Sequence, residues 1–319
     1  MMKILESLKS RKLSKIMAAA VVGGSLLFGG GDVLAAENPD GMFAFRQSYL
    51  ASPPDTRAFK QIISFFGGTV FQADINSEGV ILNDASMRIN GTLNWTYTSP
   101  QTKQTTNFAI PFYVVQDGGS DMNLFVQRNR TWSKMALPGF PSALANALKT
   151  TDPTIMQENM KAVKEAKIFK DDANQRILQL VIDGNYAADL LAKYDDKNAD
   201  GAIANSNLKK ALRENDAFIT WTVNKNTGRT VTTVIELTDI MRSFARGMLD
   251  DSAAGKVKLT QEEMSLLDTI GYYSEFHYSV TYQNNADSSI DAPANVMKAV
   301  ENDSVLDDLA RDMTVVVKK

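Results

Sequence analysis

The chain has no cysteine and only one histidine, His277, in 319 residues. Without cysteine there are no disulfides, thiol nucleophiles, thiolate zinc sites or iron–sulfur clusters, and stability has to come from the core. A lone histidine argues against a His-ligated zinc site and against a Ser-His-Asp triad. Positive charge is also short: 34 Lys and Arg stand against 37 Asp and Glu, a net charge of −3. Phosphate recognition needs clustered basic groups, so nucleic acid is not the expected partner. Past the N-terminal segment there is no long apolar run.

Residues 1–36 differ from the rest. Lys3, Lys9, Arg11, Lys12 and Lys15 make a basic start, and "IMAAAVVGGSLLFGG" is apolar but short and glycine-rich for a membrane span. "DVLAAEN" then offers small residues for cleavage after Ala35 or Ala36. The expected reading is a signal peptide over 1–36, the alternative being an uncleaved anchor. Removing its five basic and two acidic groups takes the net charge from −3 to −6. No cysteine is present to be acylated, so no lipid anchor is expected. The expected location is secreted or periplasmic, in the cell envelope.

Residues 37–319 read as one α+β domain with ordinary globular composition. "SPPDTRAFKQIISFF" predicts a helix, with Phe59, Ile62, Ile63 and Phe66 at helical spacing and Gly67–Gly68 ending it. Over Ala85–Tyr97 polar and apolar residues alternate strictly, the mark of a half-buried strand. Phe108, Ile110, Phe112 and Val114 repeat the pattern, as do Met122, Leu124 and Val126, so a three-strand antiparallel meander is expected. Pro111 suits a bulge or an edge. Residues 141–166 read as helical, with Thr151 or Asp152 before Pro153 as the start of the second helix. "QRILQLVID" is a strand. Two short helices are expected at 184–215, as an insertion around a polar loop. Residues 216–237 predict a hairpin, with Ala217, Ile219, Trp221 and Val223 on one face and Val231, Ile235 and Leu237 following the turn. A helix carrying Ile240, Met241, Phe244, Ala245 and Met248 comes next. "TQEEMSLLD" is a short helix opened by a Thr260–Glu263 capping box. "YYSEFHYSVTYQ" is the last strand, with Tyr272, Phe276, Tyr278, Val280 and Tyr282 on one side. The expected architecture is a curved antiparallel sheet, a half-barrel, with helices packed on its concave apolar face.

"MRINGTLNWTY", the strand "NLFVQRNRTWSKM" with its Trp-x-Lys ending, and the late "YSVTYQNNADSSIDAPANVMKA" resemble the LolA/LppX-like superfamily of periplasmic lipoprotein carriers and related exported domains, over about residues 60–300. The resemblance implies an unclosed half-barrel with a hydrophobic cavity for acyl chains. The greater length and the helical insertion depart from the carriers.

Two candidate sites follow. In "DDKNADGAIANSNL", Asp196, Asn198, Asp200, the Ala202 carbonyl and Asn207 fall at positions 1, 3, 5, 7 and 12 of a calcium loop, with Gly201 at position 6. Position 12 lacks the usual Glu, so the expectation is a weak structural calcium clip or a plain polar turn. The second site is an apolar one, drawn from Leu93, Trp95, Phe112, Trp221, Met241, Phe244 and Met248, where flexible methionines suit varied ligands. "SNLK" at 206–209 matches Ser-x-x-Lys without its partner motifs, and His277 is expected on the polar side of its strand. The expected function is a non-enzymatic exported protein holding a lipid, an acyl chain or another apolar small molecule. The alternative is an envelope structural protein with a filled core and a protein partner.

Overall fold

The computed structural model describes residues 41–50, 57–67, 71–82, 86–98, 103–117, 122–137, 160–193, 202–259, 261–283, 290, 292–302 and 304. Among them lie twelve strands: β1 Arg57–Gly67, β2 Phe71–Leu82, β3 Ser86–Thr98, β4 Thr105–Asp117, β5 Met122–Arg128, β6 Thr131–Leu137, β7 Val163–Asp171, β8 Gln175–Ile182, β9 Ala217–Asn224, β10 Thr230–Glu236, β11 Ser274–Gln283 and β12 Val300–Glu301. Six helices accompany them: α1 Gly41–Leu50, α2 Gly184–Lys193, α3 Ala202–Glu214, α4 Thr238–Ala253, α5 Gln261–Tyr273 and α6 Ala294–Met297.

All twelve strands form one sheet, in the order β12-β6-β5-β4-β3-β2-β1-β11-β10-β9-β8-β7. Every pairing is antiparallel except β12 with β6. Two meanders, β1–β6 and β7–β10, are joined by a central seam where β1 pairs with β11. The expected half-barrel is not observed. The sheet is neither closed nor strongly curled, mixes one parallel pair into an antiparallel array, and carries few helices. The physical reason is where the helices sit. They do not fill a concavity: α2, α3, α4 and α5 pack in a row, each on the next, with α4 against β11 and α5 against β1 and β11.

The inner face holds the main core. Phe59, Ile63, Ile75, Ile89, Phe112, Val114, Met122, Leu178, Leu180, Ile219, Trp221, Tyr278 and Val280 are buried there, and Ala44 and Phe45 of α1 join them. Phe45 meets Trp221 edge-on with ring centroids 5.8 Å apart. A smaller core lies on the outer face. Val115, Phe125 and Val296 are buried in it, with Tyr113, Trp132, Ala292 and Ala299 packed around them. Tyr113 and Trp132 meet at 5.5 Å. The "Trp-x-Lys" residues thus take part in one contact: Trp132 packs in this core and Lys134 pairs with Glu301 of β12 at 3.3 Å.

Two elements differ from the sequence expectation. The helix expected through Phe66 is strand β1. Its apolar residues fit a helical period, but they also split between two strand faces. Phe59 and Ile63 are buried inside, while Ile62 and Phe66 stand 50% and 43% exposed outside. Of the helix expected over 141–166, residues 163–166 belong to β7, residues 160–161 are helical with 162 a turn, and residues 141–159 lie outside the described residues. Tyr272 is in α5 and exposed, not in the final strand. The expected helices at 184–215 and 238–249, the hairpin at 216–237 and the meander at 85–126 are present, the meander extended by β1, β2 and β6.

Candidate functional site

The strand register places the inner-face side chains in rows that cross the sheet. One row runs Phe108, Trp95 and Ala73 across β4, β3 and β2. The next runs Ile110, Leu93, Ile75, Ile63, Tyr278, Ile235, Ile219 and Leu180 from β4 to β8. The third runs Phe112, Gly91, Ser77, Gln61, Val280, Thr233, Trp221 and Leu178 over the same strands. From the first row to the third is four residues along β3, about 13 Å at strand rise.

Burial changes along that path. Phe108, Trp95 and Leu93 are half-buried, whereas Ile75, Ile110 and Phe112 are buried. An aromatic, partly open band therefore leads into the closed apolar interior. The helical row stands at the same end of the sheet: α4 follows Glu236 and Leu237, and α5 runs into Ser274, which pairs with Gly67. Met241 of α4 packs against the main core.

The third row breaks the apolar pattern. Gln61, Ser77 and Thr233 are 1%, 8% and 0% exposed. Tyr278 donates its hydroxyl proton to Gln61 Oε1 at 3.2 Å. Gln61 Nε2, Ser77 Oγ and Thr233 Oγ1 have no hydrogen-bond partner among the described residues. Gln61 and Ser77 are direct cross-strand partners, and Thr233 is two strands from Gln61, beyond Val280. Buried polar atoms normally find a partner, so three unpaired ones in one row need an explanation. The row is framed by aromatic rings that lie over glycines. A Cβ on Gly79 would come 2.2 Å from the Phe59 ring, and one on Gly91 would come 2.5 Å from the Phe112 ring. Only glycine lets these rings approach the strand backbone so closely.

Of the apolar residues singled out from the sequence, Phe112 and Trp221 lie in the main core, and Leu93 and Met241 pack against it. Trp95 is half-buried in the outer row. Phe244 is half-buried on α4. Met248 belongs elsewhere: its Sδ accepts a hydrogen bond from Asn207 Nδ2 at 3.4 Å, at the α3–α4 contact. The polar row went unremarked in the sequence. Its signal was there, as polar residues at the inner positions of the alternation. In β2 "FQADINSEGVIL" the inner positions hold Ala73, Ile75, Ser77 and Gly79.

In the calcium-loop candidate, Asp196, Asn198 and Asp200 lie outside the described residues. Ala202 opens α3, so position 7 already starts a helix. Asn207 is buried in that helix and donates to Asp251 Oδ2 at 2.9 Å, with its amide turned toward α4. The Lys256 ammonium beside Asp251, helped by Asn207, holds that carboxyl below its usual range. Among the described residues no group of three or more His, Asp or Glu side chains is placed to hold a metal.

Two other polar clusters are held by ion pairs and hydrogen bonds. At the tips of the β7–β8 and β9–β10 hairpins, Asp171 Oδ2 accepts from Arg176 at 2.6 and 3.0 Å, and its Oδ1 meets Lys225 at 2.7 Å. Burial opposes ionisation of Asp171, but the hydrogen bonds from Arg176 and Lys225 outweigh it and hold the carboxyl below its usual range. Next to it, Asp172 accepts from Lys170 and from the backbone N–H groups of Gln175 and Asn174, which pull its pKa to about 2. On the outer face, His277 Nδ1 lies 2.6 Å from Glu236 Oε2 and Nε2 lies 3.6 Å from Glu275. His277 is half-exposed on the polar side, as its strand pattern predicts.

No protein-family model matches the chain, and no curated protein does.

Proposed function

We propose that the protein is an exported, non-enzymatic binding protein that shelters an apolar ligand, a lipid or acyl chain, against the inner face of its sheet. The observation that carries this reading is the half-buried band of Leu93, Trp95 and Phe108, which continues through Ile110 into the buried interior around Phe112. Such a band presents apolar area to water at one end and excludes water at the other. Transfer of a ligand along it is driven by the apolar surface removed from solvent. The basic start and apolar stretch within residues 1–36, read as a signal peptide, support export. A protein partner at the same face is the competing assignment.

The test is native mass spectrometry of the full chain together with titration by the fluorescent probe N-phenyl-1-naphthylamine. Copurified lipid mass or saturable probe fluorescence is expected, and Trp95→Ser should weaken probe binding about tenfold. Absence of both bound mass and probe uptake would replace this reading with that of an interaction protein whose core is filled.

A further inference from the structure

We propose that the sheltered ligand ends in an uncharged hydrogen-bonding group, a hydroxyl or ester, seated on the row formed by Ser77, Gln61 and Thr233. This inference rests on the binding role proposed above and names the ligand class.

The hydrogen-bond inventory sets the chemistry. Gln61 Oε1 already accepts the Tyr278 hydroxyl, so the free group is the amide nitrogen, which only donates. A matching ligand atom is an acceptor such as a carbonyl oxygen. Ser77 Oγ and Thr233 Oγ1 each donate or accept, and so take either a hydroxyl or a second oxygen. The three groups are held on rigid strands, two of them directly opposite each other, so they are preorganised. The Phe59 and Phe112 rings, pressed onto Gly79 and Gly91, wall the row with apolar surface.

Charge decides the rest. Among the inner-face strand side chains that the structure describes, the charged ones are Arg176 and Asp171, on β8 and β7 and paired with each other, and Arg128 at the end of β5, three strands from Ser77. His277 is on the opposite face. A carboxylate or phosphate placed on the row would be buried with no cationic side chain among the row's own residues, which is strongly unfavourable. A neutral ester or hydroxyl gains the three unused hydrogen bonds and carries no such penalty.

The experiment displaces N-phenyl-1-naphthylamine from the full chain with three probes of equal chain length: 1-lauroylglycerol, laurate at about pH 8 where the acid is ionised, and dodecane. The expected result is that 1-lauroylglycerol displaces the probe at about tenfold lower concentration than laurate or dodecane. The near-isosteric Thr233→Val and Ser77→Ala, and separately Gln61→Leu, should erase that preference, read within each variant as the ratio of the 1-lauroylglycerol and dodecane concentrations that displace the probe. Equal displacement by all three, tighter binding of laurate, or a preference that survives the variants would overturn the inference and leave the apolar site standing, the row then being occupied by water. Failure of the naphthylamine probe to bind at all would instead remove the binding role itself, and this inference with it. Thr233→Val and Ser77→Ala conserve volume, so the answer does not depend on whether Gln61→Leu folds.

Discussion

Two polar clusters in this molecule are built on opposite terms. At the hairpin tips, Asp171, Asp172, Arg176 and Lys225 satisfy one another almost completely, and Lys225 adds a bond from its ammonium to the Asp172 carbonyl at 2.9 Å and one from its backbone N–H to Asn174 at 2.8 Å. In the third row of the inner face, Gln61, Ser77 and Thr233 are buried too, yet three of their polar atoms have no partner among the described residues. The first arrangement fastens two hairpins. The second lowers stability, because desolvated groups without partners cost free energy. Folding alone gives no reason to keep it, whereas the ligand proposed above would.

The comparison is open to attack at both ends. The largest effect is expected at the hairpins. Asp171→Ala leaves the Arg176 guanidinium, whose side chain is 6% exposed, without its main partner, and should cost about 3 kcal/mol in urea denaturation. A loss below about 0.5 kcal/mol, the range of ordinary surface changes, would place this cluster among the exposed pairs that contribute little. At the inner row the sign should reverse. Thr233→Val removes a buried hydroxyl with no partner and should raise stability by about 1 kcal/mol. A loss of stability there would mean that the hydroxyl is bonded in the ligand-free protein, and the contrast between the clusters would fail. The smallest signal is the pH dependence. Asp172 has a folded pKa of about 2, below the ordinary carboxylate value. Its contribution is fully present above about pH 4 and is lost as pH falls through the folded value. Acid titration of stability should therefore steepen between about pH 4 and 2, and Asp172→Asn should flatten the curve in that window. Asp172 lies on the surface, so high salt should shrink the effect.

Much of this sheet was legible in the sequence because strict alternation leaves one reading. In Ala217, Ile219, Trp221 and Val223 the apolar residues are the inward ones, and the structure buries the last three. Thr230 shows the limit. A bulge between Thr230 and Thr232 shifts the register, so Thr230 turns inward and accepts a hydrogen bond from Trp221 Nε1 at 2.9 Å. No periodicity announces a bulge. β1 was misread because Phe59, Ile62, Ile63 and Phe66 satisfy two periods at once, and pairing on both sides decides between them. The open form of the sheet was not legible either, since curl depends on how twist accumulates over strands that meet only in the fold. Four of the seven apolar candidates, Leu93, Trp95, Phe112 and Trp221, fell on the inner face by alternation alone. The polar row did not stand out, because Ser77, Gln61 and Thr233 become neighbours only through pairing between distant segments.

The seam between β1 and β11 has a further consequence, for the order in which the protein is made. Its hydrogen bond from Tyr278 to Gln61 spans 217 residues of chain. Until the last large strand exists, β1 is a bare edge, and the meander from β1 to β6 waits beside an unfinished neighbour. Contacts this distant close slowly, because the entropy of the intervening loop is spent before the pairing is gained. The row of Ser77, Gln61 and Thr233 crosses that seam. It therefore comes into being only at the final closure, so a partly folded chain would have no place for the polar end of the proposed ligand.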